Sequence, residues 1–119
     1  MATYVDGFVI TFPKTQLAAY KKMATEGKKM WMKYGALDYK ECLGDDLAGG
    51  KYVPNPFRKV TNAKPFEVVV FSYIVYKSRA HRDKVNKQVM KYFSEKYKDQ
   101  KMPVDTRHFS YGGFKTIVE

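Results

Sequence analysis

The 119-residue sequence predicts an α+β domain in which a strand–helix–strand unit occurs twice. Three observations point there. Runs rich in β-branched and aromatic residues at 4–12 and 66–76 are each followed by apolar residues spaced three and four apart, so the period changes from two to 3.6 twice. A shorter strand-like run follows each helical stretch, at 37–44 and 107–118. Between the halves, residues 45–65 keep no period at all.

The first run, YVDGFVITF, stops at Pro13, which suits a strand end. In residues 14–34, Leu17, Tyr20, Ala24, Gly27, Trp31 and Tyr34 share one face, while Lys21, Lys22, Lys28, Lys29 and Lys33 mostly point elsewhere. This is an amphipathic helix, closed by Gly35 as a left-handed cap. Gly27 costs about 1 kcal/mol relative to alanine inside a helix, and a close contact with the sheet is the expected reason. In residues 37–44, Leu37, Tyr39, Glu41 and Leu43 alternate with Asp38, Lys40 and Cys42, as a sheet with two different faces requires.

Residues 45–65 hold Gly49, Gly50, Pro54, Pro56 and Pro65, and read as a long loop. With Tyr52, Phe57, Arg58 and Lys59 it is expected to be a lid or a partner-crossing arm. The run 66–76 is apolar on both faces except for Ser72 and two tyrosines, so a buried central strand is expected. Ser78 reads as the N-cap of a second helix with His81, Val85, Val89, Tyr92, Phe93 and Tyr97 on its inward stripe and Arg82, Lys84, Lys87 and Lys91 largely off it. A polar connection over 98–105, with Pro103, leads to the last strand, where Gly112 and Gly113 signal a bulge or a close backbone approach.

Taken singly, each half suggests parallel neighbouring strands joined by a right-handed helical crossover, which puts both helices on one face of a four-stranded sheet. The other face would then expose alternate Val, Tyr and Phe side chains. Pairing of two copies, sheet against sheet about a two-fold axis, would bury them.

Composition narrows the setting. A hydrophobic content of 45% supports one core and one domain spanning 1–119. The single Cys42 cannot close an intrachain disulfide, the N-terminus lacks a secretory pattern, and no apolar run approaches the roughly 18 residues of a membrane span, so a soluble cytoplasmic protein without membrane contact is expected. The net charge of +10 is mostly lysine spread over the two helices, which predicts a solvated basic surface. Binding of nucleic acid or another anionic partner through Arg79, Arg82, Lys84, Lys87 and Lys91 is the alternative, although no recognised nucleic-acid motif is present.

Four stretches carry a resemblance: YVDGFV at 4–9, KYGALDYKECLGDDL at 33–47, VVFSYIVYKSRAHRDKVN at 69–86 and YGGF at 111–114. Together they resemble the YbaA-like family of small bacterial proteins of unknown function, across nearly the whole chain. That family is similar to the dimeric α+β barrel superfamily. The resemblance implies a ferredoxin-like βαββαβ protomer, with a four-stranded antiparallel sheet, two helices on one face, and a homodimer formed through the sheets. It implies no single reaction, because the superfamily includes cofactor-independent quinol monooxygenases, haem-degrading enzymes and isomerases.

Within that frame His81, on the inward stripe and in the first turn of its helix, is the first candidate for chemistry, since a neutral imidazole there can act as a base. Asp6 and Asp38 each interrupt a strand with a carboxylate, and Arg79 or Arg107 could pair with them. Trp31, Tyr39, Tyr73, Tyr76 and Tyr111 could wall an aromatic ligand, with Arg79 stabilising an anion. Cys42 is expected to be a buried inert thiol and His108 a plain strand residue. Two histidines and one cysteine in separate elements give no metal-ligand spacing, and GDDLAGGK at 44–51 misses the phosphate-loop pattern by one residue, so neither a metal nor a cofactor is expected. The expected function is small-molecule binding in an apolar cavity between the sheet and its helices. Cofactor-independent monooxygenase-like chemistry on an aromatic or quinone-like compound is the sharpest version, and a structural dimer without catalysis is a further alternative.

Overall fold

The computed structural model describes residues 2–100 and 106–119, so Pro103 of the polar connection lies outside the described residues. In chain order come β1 (Tyr4–Pro13), a 3-10 turn (Lys14–Gln16), α1 (Leu17–Lys33), β2 (Asp38–Leu43), α2 (Phe57–Val60), β3 (Glu67–Tyr76), α3 (Arg79–Lys96), a second 3-10 turn (Thr106–His108) and β4 (Phe109–Lys115). His108 therefore sits in the turn before the last strand and not in the strand itself. No helix among the described residues is long and apolar enough to cross a membrane.

The sheet order is β2-β3-β1-β4, and every neighbouring pair is antiparallel. The two halves interleave, which corrects the expectation of parallel neighbours. Strands β1 and β2 run parallel with β3 between them, and β3 and β4 run parallel with β1 between them. The two longest strands thereby take the centre and pair over their full length, from Tyr4 opposite Tyr76 to Pro13 opposite Glu67. This is the ferredoxin-like topology.

Alternation then assigns the faces. Tyr4, Phe8, Ile10 and Phe12 of β1 point to the helices with Val70, Ile74 and Tyr76 of β3. One cluster gathers Met30, Tyr39, Ile74, Tyr76, Val85 and Val89, and a second gathers Ile10, Phe12, Tyr20, Ala24 and Val70, with Phe8 packed against both. Burying a side chain such as Val85 or Val89 contributes about 1.5–3 kcal/mol.

Local signals in the chain set the helix ends. At Gly35, φ is +120°, which favours glycine, and the amides of Gly35 and Ala36 return to the carbonyls of Met32 and Trp31. Gly27 faces Tyr39, whose Oη would lie 3.2 Å from an added Cβ, so the close contact expected with the sheet is present. The strand register through Gly112 and Gly113 is continuous, opposite Gly7 and Asp6, so there is no bulge. The close approach is present: a Cβ on Gly113 would collide with the Tyr4 hydroxyl.

The other sheet face carries Val5, Val9, Tyr73 and Val75, with Phe71 44% and Phe114 61% exposed. Cys42 is on this face and exposed, which corrects its expected burial: in β2 it alternates away from the helix-facing Tyr39 and Glu41. The segment 45–65 is also less irregular than expected. Its helix α2 sets Phe57 against Phe71, with ring centroids 6.3 Å apart, and Arg58 donates to the carbonyls of Glu67 at 3.0 Å and Lys64 at 2.6 Å.

Candidate functional site

A polar network crosses the helix side of the sheet. Asp6, 1% exposed in the middle of an apolar strand, needs a partner, and α3 supplies it: Arg82 Nη1 donates to Asp6 Oδ1 at 2.6 Å. The same nitrogen donates to Tyr111 Oη at 2.6 Å, and the Tyr111 hydroxyl donates to Asp6 at 3.1 Å. One turn along α3, Asn86 Nδ2 reaches Asp6 Oδ2 at 3.4 Å, while its Oδ1 accepts from Trp31 Nε1 at 2.9 Å and Tyr76 Oη at 3.0 Å. Burial, and then the Asp6 carboxylate, push the Tyr76 phenol up, so it remains a hydrogen-bond donor. The network joins α1, α3, β1, β3 and β4, and among the described residues no buried side-chain nitrogen or oxygen lacks a partner.

A second carboxylate lies farther along the sheet. Glu41 of β2 accepts from Tyr20 of α1 and from Tyr39, both at 2.6 Å. Burial and Glu41 raise both phenols, which therefore stay protonated and clamp α1 to the sheet.

His81 occupies the first turn of α3. Its amide donates to Ser78 Oγ at 3.1 Å, and its Nδ1 accepts from the Lys77 amide at 3.0 Å. The two bonds resemble a capping box, except that the imidazole takes the amide of Lys77, one residue before the Ser78 N-cap, where Glu or Gln would take the amide of the N-cap itself. Because Nδ1 accepts, the proton of the neutral ring is on Nε2, which faces Gly35. Desolvation, then Lys77 and Lys84, lower the His81 pKa below its ordinary value and favour that neutral form.

The larger of the two cavities described, about 520 Å³, opens at the end of the sheet beside the start of α3. It is lined by Ala2, Thr3, Tyr4, Ser78, Arg79, Gly113 and Lys115. Tyr4 touches both regions, because its ring carries the Arg82 guanidinium at 4.9 Å on the network side. The other cavity, about 210 Å³, is lined by residues including Thr11, Gln16, Glu67 and His108. The expected apolar space between sheet and helices is instead filled by the two side-chain clusters and the Asp6 network.

Of the residues singled out from sequence, Asp6, Trp31, Tyr76 and Tyr111 meet in the network, and Arg79 lines the larger cavity. Asp38 and Tyr73 are on the opposite face, where Asp38 pairs with Lys40 at 3.1 Å, and His81 stands apart as a cap. The partners expected for the two aspartates are thus corrected: Arg82 serves Asp6 and Lys40 serves Asp38. Arg82 is expected only on the basic outer face of its helix and Asn86 is not singled out, yet Arg82 turns inward to Asp6 while Lys84, Lys87 and Lys91 stay exposed. Their spacing of four on one helix face is the signal that could have revealed them.

The profile of a family described as a protein of unknown function, DUF1428, matches residues 3–106. The chain belongs to this family. It is 37% identical over 116 residues to the uncharacterized protein YbaA of Escherichia coli (strain K12), covering 98% of this chain and 97% of that one. The protein of the same name from Shigella flexneri is similar to the same degree, 37% over 116 residues. Among solved structures, a dimeric ferredoxin-like protein from an uncultured marine organism aligns with a TM-score of 0.60 at 9% identity, covering 100% of this chain and 99% of that one. This likeness bears on the fold alone, and agrees with the topology of this DUF1428 chain.

Proposed function

We propose that this chain is a homodimeric small-molecule-binding protein that takes an aromatic compound in the cavity beside the start of α3. The cavity carries the reading: about 520 Å³ falls inside the range of roughly 300–1,000 Å³ common for ligand pockets. Its wall combines the Tyr4 ring with the polar groups of Ser78, Arg79 and Lys115. Cofactor-independent oxygenation with His81 as base is the sharper version of this function. It requires a free imidazole lone pair, and the Nδ1 lone pair is held by the Lys77 amide. The binding reading does not depend on it.

The dimer is supported by the face opposite α1 and α3, where Phe114 and Phe71, the latter flanked by Phe57 of α2, remain exposed beside Val5, Val9, Tyr73 and Val75. Sheet-to-sheet packing would bury them in both copies, and the dimeric ferredoxin-like neighbour assembles from protomers of the same fold. Sedimentation should give twice the chain mass of 13.8 kDa, and Phe71→Glu should shift the protein toward the monomer. A thermal-shift screen of phenols, quinones and aromatic acids tests the ligand, because a compound at 100 times its Kd adds about 2.7 kcal/mol. A genuine hit should be lost in Ala2→Trp, which fills the cavity. A hit that persists there binds elsewhere and refutes the assignment.

A further inference from the structure

We infer that the ligand of the larger cavity is an anion, an aromatic carboxylate or phosphate monoester whose charged group is held by Arg79 of α3 and Lys115 of β4. The inference rests on the cavity being a ligand site and names the class of compound it takes. Its basis is the state of the polar groups around one space. Arg79 and Lys115 come from different elements and line the same volume of about 520 Å³. Neither is ion-paired among the described residues. The cations that touch the fold's own acids are matched: Arg82 with Asp6 and Asp83, Lys96 with Glu26, Lys40 with Asp38.

The remaining polar lining adds donors. Ser78 Oγ already accepts from the His81 amide, which leaves its hydroxyl proton available to a ligand oxygen. The Thr3 hydroxyl is engaged with Thr116 and Glu119, and no carboxylate lines the space among the described residues. A wall with two unpaired cations and a free hydroxyl donor, without a lining acid, fits a group that only accepts hydrogen bonds. Carboxylate and phosphate are such groups, and charge-assisted bonds to them are the strong kind. Tyr4 supplies the aromatic surface.

The test follows backbone amides of the 15N-labelled full chain by NMR while benzoate, phenyl phosphate and neutral benzamide are titrated separately. Benzoate or phenyl phosphate should move the amides of Thr3, Tyr4, Ser78, Arg79, Gly113 and Lys115 and bind at least about tenfold more tightly than benzamide, the scale of one charge-assisted bond. The relative affinity of the two anions separates a carboxylate from a phosphate ligand. Arg79→Gln with Lys115→Gln should abolish the preference, and Arg79→Lys with Lys115→Arg should keep it. Both cations are exposed, so the variants should melt like the parent. Equal affinity for benzoate, phenyl phosphate and benzamide at these amides would overturn the anion inference and leave the binding site standing. Shifts confined to the lysine faces of α1 and α3 would overturn the inference as well, and no response at the cavity to any of the three up to millimolar concentration would overturn both readings.

Discussion

Removing Arg82 should be among the more damaging single changes in this protein, and the pair it forms with Asp6 can be measured by a double-mutant cycle. In Arg82→Ala, a carboxylate 1% exposed loses its 2.6 Å partner and keeps only Tyr111 at 3.1 Å and Asn86 at 3.4 Å. Leaving a buried charge unmatched costs about 3–5 kcal/mol. In Asp6→Ala the remaining guanidinium, 12% exposed, still holds Asp83 and Tyr111, so the loss is nearer the value of a charged hydrogen bond, about 2–3 kcal/mol. The double variant should cost less than the two singles together by about 2–3 kcal/mol. Urea unfolding at one fixed protein concentration supplies the numbers, because dimerisation makes apparent stability depend on concentration. The coupling should also survive added salt, since the pair is shielded from solvent ions. Single losses under about 1 kcal/mol with no coupling would place Asp6 and Arg82 among ordinary surface pairs and refute the reasoning.

Three further outcomes are expected. His81 is held neutral, so the unfolded chain takes up a proton first on acidification; its contribution is complete above the ordinary value of about 6.5 and is lost as pH falls toward the lowered folded value. His81→Gln, which can still accept from the Lys77 amide, should flatten stability between pH 7 and 5 relative to the parent, and identical slopes would mean that folding does not shift the His81 titration. Gly113→Ala should cost about 1–3 kcal/mol through its collision with Tyr4, and Tyr4→Ala should relieve most of that cost in unfolding experiments. The Lys96–Glu26 pair, with side chains 43% and 23% exposed, should show a weak coupling that fades with salt, in contrast to the pair at Asp6.

The elements were legible because each follows a local rule. Apolar periodicity marked the strands and helices, Gly35 marked the end of α1, and Ser78 marked the start of α3. The order of strands in the sheet obeys no local rule, since the interleaving of two strand–helix–strand units depends on which strands bury best together. Asp6 and Asp38 show why the site was harder to read. Each breaks an apolar run with a carboxylate, yet Asp6 points to the helices and Asp38 to the opposite face beside Lys40. Alternation separates the two faces of a strand without saying which face the helices cover. Cys42 fell to the same ambiguity, and so did Tyr73.

Arg82 reads as a solvated surface cation for a different reason, and its position connects the network to the cavity. An apolar stripe of His81, Val85 and Val89 identifies the buried side of α3, and charged residues beside it are ordinarily solvated. Here a second, polar stripe runs alongside: Arg79, Arg82 and Asn86, spaced three and four apart, so that they lie along one strip of the helix. Asn86 joins Trp31 and Tyr76, Arg82 joins Asp6 and Tyr111, and Arg79 reaches the cavity without an internal partner. The buried pair therefore fixes the rotation and depth of the first turns of α3, which in turn set where Arg79 stands. It follows that Asp6→Ala should weaken benzoate binding, although Asp6 does not line the cavity, while leaving the preference for benzoate over benzamide intact. Arg79→Gln should reduce that preference and leave stability unchanged, and benzoate binding unchanged in Asp6→Ala would mean that stripe and cavity are independent.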